Sequence, residues 1–347
     1  MSTTSPLISV VMPVYNADVY LAEAIESILN QTYRHFECII ICDDPTDKTR
    51  EIIGKYSESD SRITPFYRKK EGLVSALNKG CSLAKGKYIA RMDADDISLP
   101  IRFQKQLDFL EAHPEIDVCG TGAEIYSDNN DSSLFSPPES QNEIKFFLLF
   151  DNCLAHPSVM MKTAWIQRNG YNENAVFFED YELWLRTLDT SGISNIKDVL
   201  VKLRKHPDNI SELHKTEGAR NNNVVLTHFI ESHYHLSIPP DILVNIRFPG
   251  DTTGPEKIPD MVYFLDRLFQ EFIQRNTVSA DERKNVKKFM ARKYAFFGKY
   301  AVKQDRRTGC KMLFLAIKTD PVEITKMCFN AVLGKISSRL TKRSEIF

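Results

Sequence analysis

Three carboxylates stand within four residues at positions 93–96, where the sequence is Asp-Ala-Asp-Asp. They directly follow residues 87–92, whose apolar pattern predicts a β-strand. A cluster of carboxylate oxygens at a strand end suits a hard divalent cation such as Mg²⁺ or Mn²⁺, which commonly shares its coordination sphere with substrate phosphates. An isolated acidic cluster is also compatible with a solvated turn that caps the next helix. Whether these carboxylates form a cation site or a capping turn depends on the residues that surround them in the fold.

The first part of the chain alternates between strand and helix signals. Apolar runs predict strands over 7–13, 36–42, 62–67, 87–92 and 116–126. Apolar residues at helical spacing predict helices over 18–31, 46–56, 72–84 and 100–113. Alternating elements with nearly all-apolar strands predict an α/β fold in which a parallel sheet is covered by helices on both faces.

Polar residues follow three of these strands at the point where each strand ends. They are the segments 13–16 (Pro-Val-Tyr-Asn), 43–44 (Asp-Asp) and 93–96. Because ligands of such sheets bind beyond the carboxyl ends of the strands, we expect the three segments to converge on one site. A glycine-rich dinucleotide fingerprint and a P-loop motif are both missing from the sequence, which argues against those two kinds of nucleotide site.

The pattern changes after residue 126. Residues 127–142 are polar and predict a surface loop, and apolar sequence returns over 143–165 around His156. A helix is predicted to begin near Glu179 with acidic residues in its first turn, and residues 199–204 predict a strand. Beyond residue 213 the pattern is helical.

The composition of the 347-residue chain is that of an ordinary soluble protein, with 42% hydrophobic and 26% charged residues. This length allows one large domain and a smaller one. Seven cysteines without a CxxC pair fit a reducing compartment and argue against a disulfide framework or a zinc site. We expect neither a signal peptide nor a membrane-spanning segment, because no apolar stretch approaches the roughly 20 residues that a span needs.

The net charge of −1 hides a strong asymmetry along the chain. Residues 279–347 contain 17 Lys and Arg against 6 Asp and Glu, a net +11, which leaves −12 for residues 1–278. A charge split of this kind predicts a basic end that meets something anionic. A nucleic-acid binder would explain the basic end but not the acidic first part, and interleaved aromatic recognition motifs are missing, so we expect no nucleic-acid partner.

Several spaced motifs together resemble the family 2 glycosyltransferases, inverting enzymes with the GT-A fold. The resemblance covers about residues 6–212 and rests on the segments 10–16, 27–32, 43–49, 78–80, 86–96 and 179–184. The family usually has Asp-Asp-Gly-Ser-Thr-Asp after its second strand, whereas this chain has Asp-Asp-Pro-Thr-Asp at 43–47, one residue shorter. The resemblance predicts a GT-A catalytic domain over 1–212, with a nucleotide-sugar half at about 1–126 and an acceptor half at about 127–212. A helical region would follow over 213–347.

The resemblance implies a uridine diphosphate (UDP) sugar as donor. Carried over by position, Pro13 and Tyr15 would line the uracil pocket, and Asp44 would accept a hydrogen bond from the uracil N–H. Asp93 would contact the ribose. Tyr15 could instead be a core tyrosine.

The resemblance also implies a divalent metal, Mn²⁺ or Mg²⁺, and a catalytic base. Asp95 would bind the metal that bridges the diphosphate, and His206 matches a histidine that some relatives use near it. Asp180 would be the base that takes the acceptor proton. The alternatives are a loop histidine bonded to backbone for His206 and a helix-capping carboxylate for Asp180. Asp96 is either a support for the metal ligands or a helix cap.

Two further residues near these motifs have open roles. His156 either lies near the acceptor or is structural. Trp184 lies four residues after Asp180 on the same helix face, where core packing is favoured over a sugar platform.

The predicted activity is transfer of a hexose or N-acetylhexosamine to a hydroxyl of a bacterial surface glycan: lipo-oligosaccharide, O-antigen or capsule. The acceptor would be a glycan or a lipid-linked glycan. The alternatives are a transferase for a teichoic-type phosphate-containing polymer and an inactive partner-binding paralogue. We expect a cytoplasmic protein.

The C-terminal residues 325–347 have apolar side chains on one helical face and cations on the others. This pattern fits either a helix that lies on an anionic membrane surface or a helix packed on the catalytic domain. The first alternative would place the protein peripherally on the inner face of the cytoplasmic membrane.

Overall fold

The computed structural model describes residues 7–127, 129, 131–247 and 254–328. The chain divides into two compact units, Met1–Val225 and Leu226–Phe347. The basic segment 329–347, which contains most of the predicted tail helix, lies outside the described residues.

The N-terminal unit is built on one mixed β-sheet. The described strands are β1 (Ile8–Val14), β2 (Phe36–Asp43), β3 (Ile63–Arg68), β4 (Tyr88–Arg91), β5 (Ile97–Ser98), β6 (Val118–Ser127), β7 (Ser132–Phe135), β8 (Met160–Lys162) and β9 (Ile193–Lys205). Their order across the sheet is β3-β2-β1-β4-β8-β6-β9-β5, and β7 adds to β6 at the side.

The first four long strands form the parallel half that the sequence predicts. β1 lies between β2 and β4 and pairs in parallel with both, and β2 pairs in parallel with β3. All seven residues of β1 are buried, as expected for a strand that is covered on both faces. The carboxyl ends of β1, β2 and β4 therefore lie at the same edge of the sheet.

The second half of the sheet is mixed, whereas the first half has the parallel pairing expected of a mostly parallel sheet. β8 runs antiparallel to both β4 and β6, whereas β9 is parallel to β6. β5 follows β4 after a connection far shorter than the dozen or more residues that a parallel crossover needs. It pairs antiparallel with β9 instead.

The surface loop predicted over 127–142 contains a strand. β7 forms an antiparallel pair with β6 at the side of the sheet, and three of its four residues are exposed. Its sequence, Ser-Ser-Leu-Phe, has no apolar face that a pattern search would detect.

Eight helices of the N-terminal unit are described in addition to the one that crosses into the second unit. They are α1 (Leu21–Leu29), α2 (Thr49–Ser59), α3 (Leu73–Leu83), α4 (Arg102–Ala112), α5 (Gln141–Leu148), α6 (Thr163–Asn169), α7 (Glu179–Thr187) and α8 (Ile210–Leu213). α1 buries Leu21, Ala24, Ile25 and Ile28 at the spacing of one helical face. The core joins this face to the inward side chains of β1, β2 and β4.

The C-terminal unit is helical, as predicted. Helix α9 (Lys215–Tyr234) contains the boundary between the units, and α10 (Pro240–Arg247), α11 (Ile258–Arg275), α12 (Ala280–Ala301) and α13 (Arg306–Thr319) follow. α11 buries a continuous apolar stripe: Ile258, Met261, Phe264, Leu265, Leu268, Phe269 and Phe272. Ser279 and Glu282 form a reciprocal capping box that fixes the start of α12.

The lengths and sequences of the described helices bear on whether the chain could cross a membrane. Within residues 7–127, 129, 131–247 and 254–328, none is both long enough and apolar enough to cross a bilayer.

Candidate active site

The acidic segment 93–96 follows β4 directly and brings three carboxylates together. One oxygen of each of Asp93, Asp95 and Asp96 lies within 4.8 Å of the others. Asp93 and Asp95 are partly exposed, whereas Asp96 is buried. The arrangement gives one short loop a concentrated negative charge at the edge of the sheet where ligands of α/β proteins bind.

The three carboxylates have different partners. Asp93 accepts a hydrogen bond from the Arg91 guanidinium at 2.5 Å. Asp96 accepts the backbone N–H of Arg204 at 2.8 Å, so it joins the acidic segment to β9 rather than capping α4. Burial raises the pKa of Asp96 well above its ordinary value, and the charges of the other two carboxylates raise it further. Asp96 is therefore placed to support the loop.

Asp95 differs from its neighbours because its partners come from the segment after β9. Its Oδ2 lies 2.9 Å from Nε2 of His206 and 3.1 Å from Nδ2 of Asn209. The backbone N–H of His206 in turn donates to Oδ1 of Asn209 at 2.6 Å. His206 thus faces a carboxylate, and the structure brings both predicted metal ligands together.

The donor set at this corner fits a divalent cation. Carboxylate oxygen, imidazole nitrogen and amide oxygen are all ligands of Mn²⁺, and carboxylate oxygen also suits Mg²⁺. Asp95 and His206 would hold the ion, and Asn209 would orient both through its two side-chain hydrogen bonds. The role of these residues as metal ligands stays a prediction.

Arg204 supports the same corner from the end of β9. Its guanidinium donates to the backbone carbonyl of Asp95 at 3.2 Å and forms an ion pair with Glu23. It also lies 4.4 Å from the ring centroid of Tyr20 and 4.9 Å from that of Tyr126. These contacts fix the loop that carries Asp95 against β9.

The predicted uracil pocket lies at the ends of β1 and β2. Tyr15 is 42% exposed, so it is not a core tyrosine, and the Lys70 ammonium lies 3.7 Å from its ring centroid. Pro13 is buried within β1 and pairs with Ile41 of β2. Tyr15 therefore offers an open aromatic surface at the predicted position, while Pro13 contributes to the strand beneath it.

The two adjacent carboxylates after β2, Asp43 and Asp44, differ in burial and in their partners. Asp43 is buried, forms an ion pair with Arg68 at 2.5 Å and accepts the backbone N–H of Gly72 at 2.9 Å. Asp44 has a side chain that is 67% exposed, and its nearest cation is Arg50 at 3.9 Å. Its backbone has the positive φ of 36° that is uncommon outside glycine. Asp43 is therefore held by the protein, whereas the Asp44 carboxylate is exposed at the edge of the sheet.

The shortened segment after β2 is tied to the end of β1. Oδ1 of Asn16 accepts the backbone N–H of Thr46 at 2.9 Å, and the Thr49 hydroxyl accepts the backbone N–H of Ala17 at 2.8 Å. Asn16 adopts a positive φ of 46° to make this connection. The loop after β2 is therefore closed by hydrogen bonds, although it is one residue shorter than the usual family pattern.

Asp180 lies in the first turn of α7, where the sequence places it. Its Oδ1 accepts the N–H of the next residue, Tyr181, at 2.6 Å, which is not a helix-capping contact. Its Oδ2 accepts the side-chain amide of Asn152 at 2.6 Å, a contact from outside the helix. Burial raises the pKa of Asp180, and the bonds from Tyr181 and Asn152 and the charge of Arg91 oppose that rise. A half-buried carboxylate with a raised pKa is suited to accept a proton.

A buried polar cluster lies beside Asp180. Nδ1 of His156 lies 3.8 Å from the Glu179 carboxylate, and its Nε2 lies 2.9 Å from the hydroxyl of Tyr171. Burial lowers the pKa of His156 well below its ordinary value, and the charge of Arg91 lowers it further. His156 is thus part of a buried cluster with Tyr171 and Glu179.

The Glu179 carboxyl of this cluster has a raised pKa. Burial, and then the neighbouring charge of Asp180, raise the pKa of Glu179 to about 7. Trp184 is fully buried and stacks on Trp165 with an interplanar angle of 15°, so it is a core residue.

Arg91 connects the acidic segment to the Asp180 region. It is 3% exposed, bonds Asp93, and interacts electrostatically with Glu179 and Asp180. Its Nε has no hydrogen-bond partner in the described structure. One buried cation therefore partly offsets the negative charge of both regions.

Sequence reasoning missed Asn152, Arg204 and Asn209. Asn152 and Asn209 carry no charge and belong to no periodic pattern, so only the fold shows that they reach Asp180 and Asp95. Arg204 was included in a predicted strand, and the single available signal was its position two residues before His206.

Comparison with known proteins identifies the family of the chain. Residues 9–174 match the family model described as glycosyl transferase family 2. An uncharacterized glycosyltransferase of Methanocaldococcus jannaschii is 36% identical over 205 residues, covering 57% of this chain and 71% of that protein. The O-antigen biosynthesis glycosyltransferase WbnJ of Escherichia coli is 35% identical over 210 residues, covering 58% and 80%. The chain belongs to glycosyltransferase family 2.

Solved structures agree on the fold. S. aureus TarS 1–349 in complex with UDP-GlcNAc superposes with a TM-score of 0.51 at 16% identity, covering 90% of each chain. The mannosyltransferase PcManGT of Pyrobaculum calidifontis, in complex with GDP-Man and Mn²⁺, gives 0.50 at 16% identity, covering 93% of this chain and 88% of that one. The GT-A fold predicted from the sequence is confirmed, with its helical C-terminal region.

We expect Asn152→Ala to slow turnover by roughly 10- to 100-fold, since a hydrogen bond to a charged group contributes about 1.5–3 kcal/mol. The lost amide no longer favours the ionised carboxylate, so the pKa of Asp180 should rise and the acid limb of the kcat profile should move to higher pH. The donor KM should stay unchanged. Asn174→Ala removes an exposed asparagine of the neighbouring loop and is the control. A fall in kcat without movement of the acid limb would show that Asn152 only supports the fold.

The raised pKa of Glu179 predicts a pH-dependent stability difference. The neutral carboxyl is favoured in the folded protein, so its contribution is complete below about pH 4.5 and is lost as the pH rises through about 7. The free energy of urea unfolding of Glu179→Gln, relative to that of the wild type, should therefore rise by about 2.5 kcal/mol between pH 5 and pH 8. Glu58→Gln, on the exposed face of α2, should show no such gain. An equal difference at both pH values would refute the shift.

Proposed function

We propose that this chain is a metal-dependent inverting glycosyltransferase that uses a UDP-sugar as donor. It would move a hexose or N-acetylhexosamine to a hydroxyl of a bacterial surface glycan such as lipo-oligosaccharide, O-antigen or capsule. The observation that carries the proposal is the pairing of two sites in one unit. One is the Asp95, His206 and Asn209 corner, and the other is Asp180 with its Asn152 bond.

The donor would bind along the edge where β1, β2 and β4 end. Tyr15 offers its exposed ring to the uracil, and Asp44 offers an exposed carboxylate to the base N–H. Asp93, already oriented by Arg91, lies next along this edge and would accept from the ribose. Pro13 would shape the floor of the uracil pocket from β1.

The diphosphate would lie beside Asp95 and His206. A bound Mn²⁺ or Mg²⁺ would neutralise the charge that develops on the leaving diphosphate. The residues of this chain hold the ligands in place: Arg204 fixes the Asp95 backbone, and Asn209 fixes His206. The carboxylate oxygen of Asp95 suits either ion, whereas the imidazole of His206 suits Mn²⁺ better than Mg²⁺.

Asp180 would act on the acceptor. The acceptor hydroxyl oxygen attacks the anomeric carbon as the bond from that carbon to the diphosphate oxygen breaks, and its proton passes to Oδ2 or Oδ1 of Asp180. Attack from the face opposite the leaving group inverts the configuration. Asn152 keeps the carboxylate in one orientation, and the partial burial of Asp180 favours acceptance of the proton.

We assign this chemistry to a catalytic domain over residues 1–212, with the helical region 213–347 as a separate part. The nucleotide-sugar half would span about 1–126 and the acceptor half about 127–212. The acceptor would be a glycan or a lipid-linked glycan. The O-antigen relative of E. coli and the amylovoran biosynthesis glycosyltransferase AmsE of Erwinia amylovora, which is 29% identical over 210 residues, support a surface-glycan acceptor.

The proposed location is cytoplasmic and peripheral to the inner face of the membrane, where such an acceptor would be reached. For residues 325–347 this location rests on the sequence pattern and charge alone. The intact carboxylates at 44, 93, 95 and 180 argue against an inactive paralogue.

The Asp95→Ala variant tests the metal corner. UDP release from a panel of UDP-sugars, measured with Mn²⁺, with Mg²⁺ and with EDTA, should depend on the ion and fall to background in this variant, because the carboxylate that meets His206 is lost. Asp108→Ala removes an exposed carboxylate of α4 and should turn over normally. Full activity in EDTA, or an active Asp95→Ala variant, would refute metal dependence.

The Asp180→Asn variant tests the base. It should bind the UDP-sugar with unchanged affinity in calorimetry, yet turn over about 10²- to 10⁴-fold more slowly, as expected when a positioned base is removed. Product linkage analysis with the wild type should show an inverted anomeric centre. Normal turnover by Asp180→Asn would assign the proton transfer to another group.

A further inference from the structure

Helix α13 presents a basic and apolar face to solvent. Phe314 is 69% exposed and Ile317 is 48% exposed, and Cys310 is exposed between them on the same side. Their spacing of three and four residues places them on one helical face. An open surface cavity runs along Cys310 and Phe314. The exposed apolar side chains therefore form a stripe rather than scattered single residues.

Cations flank this stripe on both sides. Arg306 borders it on one side, and Arg307, Lys311 and Lys318 border it on the other, all of them exposed. Residues 306–319 contain four cations and no acidic residue. α11 differs, because Asp260, Asp266 and Glu271 mix with its cations. We call these seven residues the α13 face.

Close packing on the opposite side of α13 fixes which side is exposed. A Cβ at Gly309 would lie 2.5 Å from the Cα of Val302, and a Cβ at Gly298 of α12 would lie 2.9 Å from Cγ of Leu313. Gly309 and Ala316 are buried accordingly. The Val302 backbone thus leaves no room for a side chain at Gly309, and the Leu313 side chain fills the space at Gly298, so this side of α13 is packed and the α13 face lies on the outward side.

We infer that the α13 face is a docking surface for an anionic lipid bilayer. Such a surface offers phosphate charges to Arg306, Arg307, Lys311 and Lys318 and an acyl boundary to Phe314 and Ile317 at the same time. This inference concerns the C-terminal unit and does not depend on the transferase chemistry.

Other partners match the α13 face less well. A second copy that used the same face in a two-fold dimer would place four cations against four, without an acidic residue to pair with them. A nucleic acid would satisfy the charges but would leave Ile317 and Cys310 against phosphate and sugar. Of these three partners, only a bilayer surface meets both the apolar and the cationic side chains.

The test measures co-sedimentation of the full chain with vesicles of phosphatidylglycerol and phosphatidylcholine, and with vesicles of phosphatidylcholine alone. The wild type should bind the anionic vesicles and release as salt is raised. The triple variant Arg307→Gln, Lys311→Gln, Lys318→Gln should bind roughly 100-fold more weakly, since each cation near an anionic surface contributes about a factor of five. The double variant Phe314→Gln, Ile317→Gln should bind at least ~10-fold more weakly through lost apolar burial.

Matched controls come from the same unit. The triple variant Arg283→Gln, Lys284→Gln, Lys287→Gln removes the same charge from exposed positions of α12, and Tyr263→Gln with Val244→Gln removes two exposed apolar side chains. Both should bind as the wild type does. Circular dichroism confirms that each variant is folded, so that lost binding reports the surface.

Three results would overturn the inference. They are wild-type binding to neither vesicle type, wild-type affinity in both α13 variants, and dissociation of an oligomer by the α13 variants, seen by light scattering, with vesicle binding unchanged. A full-chain variant with Lys335→Gln, Arg339→Gln and Lys342→Gln separates this surface from the tail. Binding lost only in that variant would assign the contact to residues 325–347 instead.

Discussion

The carboxylate of Asp95 is the point on which the candidate site depends. It belongs to the loop after β4, yet its partners His206 and Asn209 come from the end of β9, on the other half of the sheet. This contact can form only when the parallel half and the mixed half of the sheet are both in place. Arg204 and β5 make the same connection through backbone contacts, so the loop is held from both sides.

Negative charge is concentrated around this contact and is only partly compensated by the protein. Arg91 is a buried cation close to both the acidic segment and Asp180, and burial raises the pKa of Asp93, Asp96, Glu179 and Asp180 alike. Carboxylates that the fold keeps close together without enough cations are costly in the empty protein. Binding of a cation would reduce this electrostatic cost. Repulsion among the carboxylates in the unbound protein can therefore favour the bound state.

The sequence predicted the parallel half because its signals are local. Apolar runs of β1 and β2, helical spacing in α1, and acids at the strand ends are all patterns within one short window. The mixed half was predicted less well because it depends on pairing between distant residues: β5 has two residues, β7 has no apolar face, and the direction of β8 is set by its partners. For the same reason Asp44, Asp95 and Asp180 could be named as candidates from their motifs, whereas Asn152 and Asn209, neutral amides positioned only by the fold, could not.

The contact between Asp96 and the backbone of Arg204 joins residues that are 108 positions apart in the chain. During synthesis, β1 to β4 leave the ribosome well before β9 exists, and this parallel half can form from comparatively local contacts. The acidic loop obtains its final shape only when β9 arrives and pairs with β5. A nascent chain therefore has a nearly complete parallel edge before Asp95 can meet His206, and the last strand of the sheet determines when the candidate site is assembled.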